Sequence, residues 1–536
     1  MELGEKITIS GCAVLFSSIF FGFWGFDAIL TFGIKDQTAL RKRNEIFDIY
    51  RKLPFALEFK VFLFNISNPE EVMQGAKPKL TQVGPYWYNL WKEKINIDIN
   101  KSEDSLTYTQ YDVYQFNKVK SGKLSENDYV TMLDPLLIGT LNTVEEVGES
   151  VLQVANKALP YIFNNPKTVY RKLKVKDILF EGIDVWCNST TFAVKAVCLH
   201  YKQKTPGTVF NENGYYKFSL LGPRNATPGA RFKVLRGIHN YKDLGRLIEF
   251  NGQTSSSLWG TKYCNQFNGT DGWIFPPFLE KEEGIWTYST DLCRSIQAYF
   301  VEDTEFKGVN VRRYHVDYGD QSSREDEKCY CLRTCMKKGV FDLGSCLTVP
   351  IYGSLPHFLM GDETLTSDVE GLDPRVTDHI TFIHFEPLTG TPIEARLRLQ
   401  LNMPIKPWTY IDLTKNMSTF LHPVLWIEQG MELDGKLLRK VKNIFLLINV
   451  VNITKYIGIL GGTVAAIIGT YMHFKNEQVV IISKGQNKVT EEPLQNSNIP
   501  IQYKQKPAIF TRKVNTSINH VMSGNELNKY NLNGNL

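Results

Sequence analysis

The sequence predicts a large, mostly β body decorated by helices and held at each end by a membrane-spanning helix. Three observations predict it: an apolar run near each terminus, strand-period alternation through the roughly 420 residues between them, and eight cysteines inside that interval together with N-x-[ST] triplets such as those at Asn65, Asn188, Asn225, Asn268 and Asn416. At 536 residues the chain exceeds one ordinary domain and can bury a core of several hundred residues. Its composition, 43% hydrophobic and 22% charged, excludes a mainly disordered or fibrous protein. A formal charge of +5 is small for this length and implies no nucleic-acid partner.

From Ile7 to Phe26 no residue is charged. At about 1.5 Å rise per residue such a run spans roughly 30 Å, the thickness of a bilayer's hydrocarbon core. Asp27 follows, then the apolar pattern resumes to Ile34, so the first span is assigned to 7–34, with Trp24 as an interfacial aromatic. The alternative is a cleaved signal peptide. Against it, the run is longer than a signal core, the leading MELGEK is not basic and no A-x-A site follows. An uncleaved signal anchor fits better. The second span is assigned to 455–474, between Lys455 and Lys475. Gly458 and Gly462 stand there at GxxxG spacing, followed by Ala466. This pattern permits close helix approach, but glycine is common in such helices and the ordinary abundance is the preferred reading.

Two rules disagree about topology. Lys35, Arg41, Lys42 and Arg43 follow the first span, whereas residues 1–6 are weakly acidic, which would put the middle of the chain in the cytosol. The triplets at Asn65, Asn188, Asn225, Asn268 and Asn416 read as N-glycosylation acceptors and say the opposite. Glycosylation and cysteines take precedence, which makes 1–6 and 475–536 cytosolic and 35–454 extracellular. Asn452 is too near the bilayer to be modified and Asn515 is on the wrong side. The 475–536 segment, with seven lysines and one arginine against four glutamates and no cysteine, reads as a disordered tail. It carries no acidic dileucine or tyrosine-based address, which favours the cell surface over lysosomes.

Between the spans, 57–66, 105–116, 214–222 and 380–388 alternate with strand period and are rich in Val, Ile, Tyr and Phe. Breaks such as Gly84-Pro85 separate them. Helical patterning is clearest over 143–163 and again over 168–182. The exterior cysteines are Cys187, Cys198, Cys264, Cys293, Cys329, Cys331, Cys335 and Cys346. An even number in an exported segment implies bridges, with 105 possible pairings. The C-x-C-x3-C run at 329–335 lacks paired zinc-ligand spacing, and Cys12, inside the first span, is left over.

Several stretches carry a specific likeness. KVFLFNISNPEEVMQGAKPKLTQVGPYWY (60–88), CNQFNGTDGWIFPPFLEKEEGIWTYSTDLCRSIQAYFVED (264–303), PIYGSLPHFLMGDE (350–363) and HFEPLTGTPIEARLRLQLN (384–402) resemble the class B scavenger receptor family. Within that family, 52–65 and 174–198 look most like the insect sensory neuron membrane proteins. The resemblance implies an antiparallel β-barrel threaded by a lipid-sized internal tunnel, with a helical cap distal to the membrane. It also implies bridges Cys264–Cys329, Cys293–Cys346 and Cys331–Cys335. Cys187 and Cys198 are a further pair shared with the sensory branch, or else two free thiols.

In mammalian relatives a cap lysine receives fatty-acid carboxylates. No lysine aligns with it here, but Lys157 and Lys167 are near, and Lys167, Arg171, Lys172, Lys174 and Lys176 form a basic stretch. This reads as a ligand entrance attracting an acid, an acidic lipid surface or a carrier protein, or as a solvated face. No H-E-x-x-H, G-x-S-x-G, P-loop or G-x-G-x-x-G occurs, the nine histidines form no metal-ligand spacing, and His357 reads as a packed core residue. No enzyme, metal or cofactor is expected. Burial is worth about 0.8 kcal/mol per methylene, so a long-chain messenger resists leaving an apolar site for water by roughly 10 kcal/mol. The resemblance therefore implies a non-enzymatic co-receptor at the plasma membrane of sensory dendrites. It would take lipid-derived odorants or pheromones from extracellular odorant carriers and pass them to the bilayer or an odorant receptor complex. The alternative is a general scavenger that clears such ligands on support cells.

Overall fold

The computed structural model describes residues 3–204, 208–211, 215–316, 318–332, 334–347 and 349–488. Eighteen strands occur among them: β1 (Leu57–Ile66), β2 (Leu80–Asn100), β3 (Ser105–Phe116), β4 (Tyr129–Leu133), β5 (Tyr170–Lys174), β6 (Ile183–Trp186), β7 (Thr208–Asn211), β8 (Tyr215–Phe218) and β9 (Pro228–Leu235). They continue as β10 (Leu247–Phe250), β11 (Ile285–Ser289), β12 (Arg294–Phe306), β13 (Val309–Val316), β14 (Val340–Asp342), β15 (Tyr352–Ser354), β16 (Phe382–Glu386), β17 (Thr391–Ile405) and β18 (Phe420–Glu432). The longer helices are α1 (Leu3–Thr38), α2 (Glu45–Arg51), α3 (Pro135–Val147), α4 (Glu149–Ile162), α5 (Phe192–Lys204) and α6 (Gly435–Lys488).

Thirteen strands form one antiparallel sheet in the order β10-β9-β3-β2-β1-β18-β17-β16-β13-β12-β11, with β15 paired to β17 and β14 to β15. In β1, the alternation in LEFKVFLFNI puts Leu57, Phe59, Val61 and Leu63 on one face, all buried. The expected break at Gly84-Pro85 is instead interior to β2, which runs on through it while the β1–β2 register shifts between Val61 and Leu63. A Cβ on Gly84 would lie 2.8 Å from the Phe62 ring and from Val61 O, so only glycine permits this approach.

A short segment nearly closes the sheet into a barrel. Leu247 N donates to Gly269 O, Thr270 N to Trp286 O and Tyr288 N to Thr270 O, so residues 269–270 bridge the two free edges, β10 and β11. Gly269 has φ +82°, and a Cβ there would fall 1.9 Å from Trp286 O. Closure removes the exposed edges that an open sheet must protect. The chain then crosses the ring. Lys92 and Lys94 of β2 point at the Trp273 indole, while Phe275, two residues on, packs against Phe385 of β16 at 4.7 Å and joins Ala298 and Tyr314 in one cluster. Opposite walls therefore send the same strand face inward.

Helices α3 and α4 cover the inward residues of β1 and β2 with Leu137, Leu141, Leu152 and Leu159. Asp134 caps α3, its carboxylate accepting from Leu136 N and Leu137 N, with Pro135 in the first turn. The helical pattern expected over 143–163 is broken at Gly148, φ +140°. The helix expected over 168–182 is absent. Its first half is strand β5, paired with β4 through Val130↔Leu173 and Met132↔Arg171, and a single π turn, Asp177–Glu181, follows. Cross-strand pairing overrides the helix propensity of a Lys-, Arg- and Leu-rich stretch there.

Two compact units divide the chain, Ser10–Val464 and the described parts of Met1–Ile9 with Ala465–Leu536. Helices α1 and α6 are both long and apolar enough to cross a membrane. Both exceed the expected spans: α1 covers 3–38 and α6 covers 435–488, so the first part of the expected tail is helical, and the rest lies outside the described residues. The preferred reading of the glycines is also overturned. Within Ser10–Val464, a Cβ on Gly458 would lie 2.2 Å from Ser18 Oγ and one on Gly462 would lie 2.7 Å from Leu15 N. Within the other unit, a Cβ on Gly469 would lie 2.5 Å from Thr8 N. In each unit small residues let the two helices touch.

Candidate functional site

Where α4 meets β5 the surface folds into a cleft of about 380 Å³. Ile162 and Phe163 end the helix, and Asn164 and Asn165, both left-handed at φ 53° and 52°, turn the chain into Pro166. Asparagine tolerates this conformation better than other side chains with a Cβ. Asp134, Lys167, Thr168, Tyr170, Arg171 and Trp186 complete the lining. Arg171 Nη1 lies 3.5 Å from Asp134 Oδ2. Burial pushes the Asp134 carboxyl up, against the opposing pull of Arg171 and the two capping amides. The Tyr170 hydroxyl is buried with no hydrogen-bond partner among the described residues. Trp186 is half-exposed, so the cleft offers two cations and a free hydroxyl beside apolar walls. This suits the polar end of an amphiphile.

Of the sequence's entrance residues, the cleft gathers Lys167 and Arg171 only. Lys157 is exposed on α4 and does not line it. Lys172 and Lys174 point instead at the Tyr129 ring, and Lys176 pairs with Glu181. Asp134, Tyr170 and Trp186 escaped sequence reading, because nothing local marks residues 52 positions apart as neighbours.

The sulfurs pair as Cys187–Cys198, Cys264–Cys329, Cys293–Cys346 and Cys331–Cys335, while Cys12 is free. Asn188 and Asn416 are exposed, and Asn65, Asn225 and Asn268 half-buried. The amide oxygens of Asn65 and Asn225 accept from Thr131 N and Tyr114 N. Among the described residues no group of three or more His, Cys, Asp or Glu could hold a metal ion. His357 is buried, its Nε2 bonded to Gln82 Oε1 and its Nδ1 accepting from Asp373 N.

The inner wall of the barrel has an inverted burial pattern. On β17 and β18 the outward residues Arg398, Gln400, Trp426 and Glu428 are buried beneath the layer that includes His357 and His379. The inward Leu397 is 36% exposed, and Ala395, Leu399 and Ile427 are half-exposed, although these strands are central in the sheet. An apolar stripe open to space inside a nearly closed wall can accept an alkyl chain.

The sequence pattern of the CD36 family matches residues 8–473. The sensory neuron membrane protein 1 of Helicoverpa armigera is 36% identical over 521 residues, which cover 95% of this chain and 99% of that protein. The proteins of the same name from Manduca sexta and Apis mellifera are 35% and 34% identical over 91% and 92% of this chain, and over 94% and 98% of their own lengths. With a nearly closed antiparallel barrel, its helical layer and a membrane-length helix at each end, the chain belongs to the CD36 family, the class B scavenger receptors.

Proposed function

We propose that this protein is a non-enzymatic co-receptor for hydrophobic odorants or pheromones. It takes them up through the interior of its barrel and delivers them to the bilayer or to an odorant receptor complex in the dendrites of olfactory neurons. The observation that carries the reading is the open apolar stripe of Leu397, Leu399 and Ile427 on the inner wall. The name of the relatives, sensory neuron membrane protein 1, supports the cellular setting.

In this reading the cleft at Lys167, Arg171 and Tyr170 is the entrance. Ligands arrive there free or from extracellular carriers, and no bond is made or broken. Residues 35–454 lie outside the plasma membrane with four disulfides and glycans at Asn65, Asn188, Asn225, Asn268 and Asn416. Residues 7–34 and 455–474 cross the membrane, and both termini are cytosolic. Electrophysiology of pheromone-sensitive neurons lacking the protein tests the proposal. Slowed onset and termination of the response are expected, and unchanged kinetics would overturn it. Expression confined to support cells would favour ligand clearance by a scavenger instead.

A further inference from the structure

Among the described residues four cationic side chains are buried: Lys94, Arg236, Arg294 and Arg398, each 7% exposed. Three have a carboxylate partner. Arg236 meets Asp104 at 3.1 Å, Arg294 meets Glu327 at 2.8 Å and Arg398 meets Glu428 at 2.7 Å. Lys94 has none within 4.0 Å and no hydrogen bond from Nζ among the described residues. Its strand neighbour Lys92, on the same inward face, pairs with Asp112 at 3.1 Å. The acid whose charge acts most strongly on Lys94, Asp271, is already engaged. Its Oδ2 accepts from Tyr108 OH at 2.8 Å and from Tyr50 OH, and its Oδ1 from Trp273 N at 3.0 Å.

What surrounds the ammonium is aromatic. Nζ lies 3.9 Å from the Tyr50 ring centroid, 5.0 Å from Tyr108 and 4.9 Å from Trp273. Ring faces attract a cation but supply no hydrogen-bond acceptor to replace its water. Burial accordingly pushes the Lys94 ammonium down to about 8, against the attraction of Asp271. Three donors held inside a barrel, walled by rings and left without acceptors, are preorganised for an oxygen that arrives with its own apolar tail. We propose that Lys94 is a receiving point inside the barrel for the oxygen-bearing head, carboxylate or carbonyl, of a long-chain amphiphile. The proposal rests on the uptake reading above and adds to it a defined polar anchor.

The test uses the full-length protein in nanodiscs with three sixteen-carbon probes: palmitic acid, hexadecanal and hexadecane. Wild type should retain the two oxygenated probes in preference to the hydrocarbon. Lys94→Met should lower palmitate affinity about tenfold, towards the level of hexadecane, and Lys94→Arg should restore part of it. Palmitate and hexadecanal distinguish an acid from a carbonyl head. If the methionine variant fails to fold, a footprint on the wild type decides. Reductive methylation of Lys94, read by mass spectrometry, should slow when palmitate is present. Undiminished head-group preference in a folded Lys94→Met, or equal labelling with and without bound palmitate, overturns the proposal and leaves uptake intact. Failure of wild type to retain any of the three probes overturns the uptake reading itself.

Discussion

Leu397 and Arg398 are neighbours on β17, yet the leucine is 36% exposed and the arginine 7%. Strand alternation sends Leu397 into the barrel and Arg398 outward, beneath the covering layer. A leucine this open contributes less to stability than a fully buried one, whose loss to alanine costs about 2–5 kcal/mol. Leu397→Trp should therefore fill interior space without unfolding the wall. Retention of a long-chain probe should fall several-fold, with the melting temperature within a few degrees of wild type. Unchanged retention would mean that ligands do not pass this wall.

The outward side of the same strands should behave in the opposite way. Glu428 accepts from Lys60 Nζ and Arg398 Nε, each at 2.7 Å. Burial opposes its ionisation, but the Lys60 hydrogen bond and the Arg398 charge outweigh this and hold the carboxyl below its usual range. Glu428→Ala leaves the buried Arg398 without its carboxylate and Lys60 with Glu58 alone, at 3.6 Å, and should cost about 3–5 kcal/mol. The double replacement Arg398→Met/Glu428→Met removes a charge of each sign and should cost less than the single change. Thermal unfolding of the three proteins checks the order.

Acid should loosen the covering layer. Burial pushes His357, His379 and His422 down to about 4, with His379 adding to the effect at His357. The geometry explains why they stay neutral. His357 Nδ1 accepts from Asp373 N and His379 Nδ1 from Arg375 N, and the two rings stack at 4.4 Å. Because the folded values lie below the unfolded value near 6.5, the unfolded chain binds more protons between them. The stabilisation is complete above about pH 6.5 and is lost as pH falls toward 4. A fully realised shift is worth on the order of 3 kcal/mol per histidine. The melting temperature should drop across that window, and His357→Gln should flatten the drop. A profile flat between pH 7 and 4.5 would contradict this account.

Parts of this architecture are legible in local sequence and parts are not. Strands β1 and β3 stand at 57–66 and 105–116 as their alternation predicts, because period two on a half-buried surface is written residue by residue. The 168–182 stretch misleads because β4 supplies a partner edge that only tertiary structure reveals. Barrel closure is equally hidden, since Gly269 and Thr270 belong to no alternating run and act only where β10 and β11 approach. In the cleft, the basic run marks Lys167 and Arg171, but Asp134 looks like an ordinary helix cap and Tyr170 like one more strand aromatic. Lys94 sits in an unexceptional K-x-K on β2, and its setting among rings, with no carboxylate partner among the described residues, is a fact about neighbours from distant segments.

The two membrane-length helices provide a comparison with an internal control. Gly458 and Gly462 face α1, where a Cβ would strike Ser18 Oγ at 2.2 Å and Leu15 N at 2.7 Å, whereas a Cβ on the adjacent Gly461 meets nothing within 4 Å. Leucine at 462 must push the helices apart and leucine at 461 need not. In a Cys12→Ser background, the pair Ser18→Cys and Gly458→Cys should form a disulfide on mild oxidation of membranes. Adding Gly462→Leu should reduce the yield several-fold, because the leucine side chain needs the space that Leu15 of α1 occupies. Adding Gly461→Leu should leave it unchanged. Equal yields in the two variants would return these glycines to the status of ordinary helix residues and locate the grip between the helices elsewhere.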